Sequence, residues 1–167
     1  MRITDRTLYV TLKPHEKYLT DKGKKAITAA AEAKYGAMYD LTFAQFYAVA
    51  SGDYKEVIGD ASNPTVLQVY WLNRFEKFVT EFANELKRYT PPQTAAEAKA
   101  SNGLLKTDFG ENMIVFLQSY FGLKSFKEAE QITTGEILIA KRAEYNRVIF
   151  QRNLHKAQME SFKSKVK

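Results

Sequence analysis

The amino-acid sequence predicts an all-α protein, a single-domain helical bundle with a long C-terminal helix. The chain has 167 residues, a length typical of one domain. It contains only 8 glycines and 4 prolines, too few turn signals for a many-stranded sandwich or barrel. Apolar side chains recur at helical spacing along residues 64–89, and several segments begin with capping-box spacing. These patterns predict about five to seven helices, of which 64–89 and 134–160 are the longest.

The N-terminal part of the chain predicts a short strand followed by a helix. Residues 7–12 alternate in polarity and are rich in β-branched side chains, as in a short strand, and Pro14 ends this pattern. Residues 21–37 are rich in alanine, lysine and glutamate, which are strong helix formers. Gly36 is placed to cap the end of this helix.

A short apolar helix is predicted next. Thr42 and Gln45 have the spacing of a capping box, in which the side chain of each residue satisfies a backbone N–H of the other. The helix that they open carries the apolar residues Phe43, Phe46, Tyr47 and Val49. Residues 51–53 (Ser-Gly-Asp) end it, and Asp53 is placed to cap one further turn at 54–58.

The strongest helical signal lies in residues 63–89. Asn63 suits an N-cap, and Pro64 suits the first helical position. A continuous apolar stripe follows at intervals of three or four residues: Leu67, Trp71, Phe75, Phe78, Phe82, Leu86 and Tyr89. Because burial of the tryptophan and each phenylalanine contributes about 1.5–3 kcal/mol, we expect this helix to be the centre of the core.

An exposed linker is predicted at residues 90–107. Two prolines at its start stop the preceding helix, and capping-box spacing at Thr94 opens a short alanine-rich helix inside it. Beyond the linker, the sequence predicts an apolar helix at 108–120 and a short helical turn after the capping box at Ser125. Residues 1–133 together are expected to form the helical core domain.

Residues 134–167 predict a long basic helix that packs on the core or extends from it. Thr133 and Glu136 form a capping box at its start, and no helix breaker follows. The whole chain has 25 Lys+Arg and 19 Asp+Glu, a formal net charge of +6. Residues 134–167 hold eight of the basic and three of the acidic residues, so their net charge is +5. The net charge of residues 1–133 is therefore only +1. A helix of this length exceeds what such a domain can bury along one face, so we expect its distal part to contact another chain.

The basic helix is therefore the candidate binding surface. The residues predicted to contact a partner are Lys141, Arg142, Arg147, Arg152, Lys156 and Phe162. A basic helix with aromatic residues suits an acidic protein groove or a phosphate backbone. A third interpretation is a helix face in contact with solvent, on which cations are stabilised near the C-terminal end by the helix dipole. The basic residues are scattered around the helix, and no nucleic-acid recognition motif accompanies them, which weakens the nucleic-acid interpretation.

Motifs for catalysis, metal binding and membrane insertion are missing from the sequence. Cysteine is absent, which excludes disulfides, thiolate nucleophiles and Cys-based zinc sites. His15 and His155 are too far apart in sequence to suggest a metal site, and neighbouring carboxylates such as Asp108 and Glu111 suit helix starts. No apolar run approaches the roughly 20 residues of a membrane-spanning helix. We therefore expect a protein that is not an enzyme and uses no cofactor or metal.

Two stretches of the chain occur together in a distinctive order. The first is Leu-Thr-Phe-Ala-Gln-Phe-Tyr at 41–47, followed by Ser-Gly-Asp at 51–53. The second is Tyr-Phe-Gly-Leu at 120–123 and Phe-Lys-Glu-Ala-Glu at 126–130, which leads into the long helix from Thr134. This arrangement resembles tail assembly chaperones and related small helical morphogenesis proteins of tailed bacteriophages.

The resemblance implies a cytoplasmic, non-catalytic helical protein that binds the tape measure protein or other tail components during virion assembly. Family members are often shorter and more acidic, so the basic helix leaves open a virion head–tail connector or adaptor subunit. A nucleic-acid-binding accessory protein that uses the basic helix is the alternative from another class. Other phage structural or tail proteins are the expected partners, a homo-oligomer is a further option, and no membrane contact is expected.

Overall fold

The computed structural model describes residues 20–62, 64–101 and 108–165, with side chains described as far as residue 163. These residues form eight α-helices and no strand, so the predicted all-α class is confirmed. The helices are α1 (Asp21–Tyr35), α2 (Phe43–Ala50), α3 (Lys55–Ile58), α4 (Val66–Arg88), α5 (Ala95–Ala100), α6 (Phe109–Phe121), α7 (Phe126–Glu130) and α8 (Thr134–Lys165). A 3-10 turn at Met38–Asp40 joins α1 to α2. The strand predicted at 7–12 lies outside the described residues.

Polar caps begin several of these helices, as the capping-box spacings predict. In α2, the Thr42 hydroxyl accepts from the Gln45 N–H at 3.2 Å, and the Gln45 amide oxygen accepts from the Thr42 N–H at 3.0 Å. The same reciprocal bonds start α5 at Thr94 and α8 at Thr133. Gly36 ends α1 with a φ of 88°, a conformation that residues with a side chain rarely adopt.

The start of α4 differs from the prediction. The sequence pattern places the first helical residue at Pro64, whereas the helix begins two residues later with Thr65 as its N-cap. The reason is Gln68, whose amide oxygen accepts from the Thr65 N–H at 2.7 Å and whose amide nitrogen donates to the Ile58 carbonyl at 2.9 Å. This buried amide joins the end of α3 to the start of α4. The predicted cap, Asn63, lies outside the described residues.

The apolar stripe of α4 forms the centre of the core, as predicted. Its buried members are Trp71, Phe75, Phe78, Phe82 and Leu86. The ring of Phe46 in α2 lies against this stripe, with its centroid 4.9 Å from that of Phe82 and 5.6 Å from that of Phe75. Helix α1 packs against α4, where the Trp71 indole N–H donates to the Gly36 carbonyl at 3.0 Å. Helices α6 and α8 also contribute buried side chains to the core, among them Met113, Leu117 and Ile137.

Two adjacent helix starts attach α8 to the body. The Phe43 N–H donates to the Ile132 carbonyl at 2.8 Å. The Thr134 N–H donates to the Leu41 carbonyl at 2.9 Å, so the N-termini of α2 and α8 lie side by side. Thr134 is fully buried, and its hydroxyl donates to the Met38 carbonyl at 2.8 Å. The first turn of α8 is therefore held by both backbone and side-chain bonds.

Candidate protein-binding surface

Helix α8 divides into a part that lies against the body and a part that does not. Thr134, Ile137 and Ala140 are buried, and Arg152 is half-buried. From residue 153 to residue 163 every side chain is exposed. We call residues 153–163 the arm. At 1.5 Å of rise per residue the whole helix is about 48 Å long, and the arm makes up about 16 Å of it.

The arm carries large apolar side chains as well as charge. Leu154 and Met159 are each 47% exposed and Phe162 is 65% exposed, whereas side chains of this kind are usually buried in the folded state. Met159 and Phe162 are three residues apart and therefore neighbours on the helix surface. Exposed apolar groups that lie together in this way commonly mark a protein contact.

Three of the cations predicted to bind a partner have partners within the chain. The Lys141 ammonium lies 3.5 Å from the centroid of the Phe116 ring, and burial lowers the pKa of this lysine. The Arg147 guanidinium donates two hydrogen bonds of 2.8 Å to the Glu144 carboxylate, and these bonds lower the pKa of that carboxyl. Arg152 is also paired, with the Glu97 carboxylate.

Arg152 ties α8 to the exposed segment around α5. Its guanidinium donates to the two carboxylate oxygens of Glu97 at 2.8 and 2.9 Å and to the Pro92 carbonyl at 2.9 Å. This contact lies immediately before the arm, so it marks the point at which α8 leaves the body. Residues 92–100 are exposed, and within them α5 is held to α8 by this ion pair.

The other three predicted residues face solvent. Arg142 and Lys156 are exposed and make no hydrogen bond or ion pair with any described residue. Phe162 is the most exposed apolar side chain of the arm. That these three residues bind a partner stays a prediction, and Lys156 and Phe162 belong to the arm.

The tie between Glu97 and Arg152 predicts a measurable pH dependence. The pKa of Glu97 is lowered from its ordinary value of 4.5, first by the backbone N–H of Thr94 and then by Arg152. A carboxyl whose pKa is lower in the folded than in the unfolded protein stabilises the folded state when it is ionised. The stabilisation by ionised Glu97 is therefore present above pH 4.5, and it is lost as the pH falls through the pKa that Glu97 has in the folded protein.

We expect Arg152→Gln to raise the pKa of Glu97 without restoring it fully, since the bond from Thr94 remains. A carbon-detected NMR titration of the Glu97 carboxyl measures this shift. Asp60 is the internal control, because its pKa is lowered by bonds from Ser62 and should not change in the variant. Identical Glu97 midpoints in both proteins would contradict the contact.

A second candidate surface lies between α2 and α6, and sequence reasoning missed it. A cavity of about 350 Å³ opens there. Its apolar wall is formed by Phe43, Ala44, Tyr47, Ala48 and Ile114, and its carboxylates are Asp108, Glu111 and Glu130. We call this cavity and its carboxylates the acidic groove. Its residues come from three separate parts of the sequence, so no local pattern could have indicated it.

Gly110 shapes the acidic groove. A Cβ atom at this position would lie 3.0 Å from a ring carbon of Tyr47, so glycine lets the first turn of α6 approach α2 closely. Asp108, which the sequence indicated as a cap, does accept from the Glu111 N–H at 3.0 Å. The Glu111 and Glu130 carboxylates have no cationic partner among the described residues.

Comparison with protein-family models, curated proteins and solved structures finds no match to this chain. Function therefore has to be inferred from the surfaces just described. Within residues 20–62, 64–101 and 108–165, no cluster of three His, Asp or Glu side chains is arranged to hold a metal ion. In the same ranges, none of the helices combines the length and the hydropathy that crossing a bilayer requires.

Proposed function

We propose that the chain is a non-catalytic protein-binding protein of macromolecular assembly, with the arm as its binding element. The observation that carries this proposal is the continuous exposure of residues 153–163 on a helix that is firmly attached at its other end. The biological setting that we propose is phage tail morphogenesis in the host cytoplasm, as the resemblance to tail assembly chaperones implies. A head–tail connector subunit of the virion is the alternative within the same class.

The arm is suited to bind a groove on another protein. An isolated helix of this length is marginal in water, but the arm continues a helix whose first turns are held by the body. Because the arm is already helical before it binds, it loses less conformational entropy when it binds a partner. Leu154 and Met159 are 47% exposed and Phe162 is 65% exposed, so burial of their exposed parts on a partner would contribute about 0.7–2 kcal/mol each. Of these side chains, Met159 and Phe162 have the i, i+3 spacing of anchors in helix-in-groove binding.

The charges favour a protein partner over nucleic acid. Lys141, Arg147 and Arg152 already contact groups of the same chain. The exposed cations that remain are spread along α8, with Arg142 and Lys156 about 21 Å apart at 1.5 Å per residue. A nucleic-acid surface instead clusters its cations to follow a phosphate backbone.

The test compares an arm variant with a matched control in a native-host pull-down. Phe162→Ser removes a side chain that is 65% exposed in the arm, and Phe126→Ser removes one that is 62% exposed in α7. We expect the phage structural proteins recovered with the tagged full chain to fall at least about tenfold with Phe162→Ser and to be unchanged with Phe126→Ser. Equal recovery with both variants would contradict the proposal.

Removal of residues 153–167 gives a second, independent measurement. Because the arm side chains are exposed and Arg152 is retained, we expect the free energy of unfolding to change by no more than about 0.5 kcal/mol while partner capture is lost. A large fall in Tm would show that the arm is part of the folded body. Tight binding of DNA or RNA that weakens steeply with salt would favour the nucleic-acid alternative instead.

A further inference from the structure

We infer that the arm of one molecule docks in the acidic groove of a second copy of this chain. The inference rests on the proposed function, because it names a partner for the same arm. Its starting point is that one chain carries two exposed surfaces whose net charges are opposite in sign. These surfaces are the lysine-bearing arm on α8 and the carboxylate-bearing groove between α2 and α6.

The face of the arm that fits this groove is formed at helical spacing. Lys156, Met159 and Lys163 stand at positions i, i+3 and i+7, and Phe162 is the i+3 neighbour of Met159. Along the helix axis, Lys156 precedes this apolar pair and Lys163 follows it. Glu160 lies between the two lysines on the same face, so two lysines and one glutamate give the arm a net charge of +1. Both lysines are exposed and make no hydrogen bond or ion pair with any described residue.

The groove presents the complementary arrangement. Its wall is apolar and includes an aromatic side chain from α2, Tyr47, which is 44% exposed. Glu111 and Glu130 border this wall, and neither carboxylate is paired with a cation of the described chain. An aromatic side chain such as Phe162 can enter the cavity of about 350 Å³ while the flanking lysines reach the carboxylates.

The occupant has to come from another molecule. Helix α8 runs unbroken from Thr134, where it is tied to Met38, through Arg152, where it is tied to Glu97. All arm side chains beyond Arg152 are exposed, so the arm of a molecule does not enter the groove of that molecule. Arm and groove are different surfaces, so two copies can exchange arms reciprocally in a twofold dimer, or successive copies can join head to tail in a ring or an open chain.

Charge reversal tests this pairing directly. One variant carries Lys156→Glu and Lys163→Glu in the arm, and the other carries Glu111→Lys and Glu130→Lys in the groove. Each variant alone places like charges at the contact, so we expect its self-association to weaken at least about tenfold in analytical ultracentrifugation. In a mixture of the two, every arm again meets a groove of opposite charge, and association should return to near the wild-type level.

A charge reversal outside the arm is the control for this experiment. Arg142→Glu reverses an exposed cation outside the arm and should leave wild-type association unchanged, and circular dichroism checks that every variant is folded. Self-association of the wild type that weakens with salt and is restored only in the mixture supports the inference. A wild-type chain that stays monomeric at every concentration, or variants that associate as the wild type does, would overturn it.

The two proposals fail in distinguishable ways. If the wild type is monomeric but the phage proteins captured from the host are still lost with Phe162→Ser, the inference of a second copy is wrong and the proposed function stands. If Phe162→Ser changes neither self-association nor capture, both are wrong.

Discussion

Trp71→Ala is expected to lower the free energy of unfolding by about 3–5 kcal/mol. Trp71 is completely buried, and its ring stacks on that of Phe75 with centroids 5.5 Å apart and planes 14° from parallel. The ring of Tyr35 meets it edge-on at 6.4 Å, and its indole N–H bonds to the Gly36 carbonyl. The substitution therefore removes the largest core side chain and one of the hydrogen bonds that join α1 and its cap to α4.

Urea unfolding followed by circular dichroism measures this effect. A domain of this kind is stable by only about 5–15 kcal/mol, so Trp71→Phe serves as a milder variant that keeps an aromatic ring and loses the N–H. Phe150→Ala is the control, because Phe150 is 66% exposed and its removal should change stability by no more than about 0.5 kcal/mol. A loss below about 1 kcal/mol in Trp71→Ala would contradict the position of Trp71 at the centre of the core.

Thr134→Val is expected to cost about 1–3 kcal/mol although it hardly changes the size of the side chain. Thr134 is fully buried, and its hydroxyl donates to the Met38 carbonyl at 2.8 Å. Valine fills the same space but leaves that carbonyl without this donor. The loss of unfolding free energy therefore comes from the buried Met38 carbonyl that lacks a donor and not from a cavity.

Two companion variants separate these explanations. Thr134→Ser keeps the hydroxyl and should retain more stability than Thr134→Val. Thr80→Val is the matched control, since Thr80 is exposed and its hydroxyl bonds only within α4, to the Glu76 carbonyl at 3.4 Å. If Thr134→Val and Thr80→Val lower the unfolding free energy equally, the bond to Met38 does not hold α8 in place.

The fold follows from local patterns to a large extent, because burial and capping leave signals within a few residues. The stripe from Trp71 to Leu86 is periodic because one side of α4 meets the core. The pair Thr42 and Gln45 is recognisable because both of its hydrogen bonds lie within one helical turn. The predicted start of α4 at Pro64 is wrong, because Gln68 also bonds to the Ile58 carbonyl at the end of α3. That contact joins residues ten positions apart, so no local pattern reveals it.

The candidate site follows from the sequence only in part. The charge and length of α8 are visible in the sequence, and the side chains of residues 153–163 at its distal end are exposed. They do not show that Arg147 and Arg152 are paired with Glu144 and Glu97, because side-chain partners depend on the packed structure. Nor does any local pattern reveal the acidic groove, whose carboxylates Asp108 and Glu130 meet only after folding.

The attachment of α8 has a consequence for the order in which the molecule folds. The bond between Met38 and Thr134 joins residues 96 positions apart, and contacts of such long range form slowly because the intervening chain loses entropy when it closes. We therefore expect the described helices between Met38 and Thr134 to form before this contact does. Until then the direction of α8 is not set, so a partner that recognises the arm relative to the body selects molecules that have completed folding.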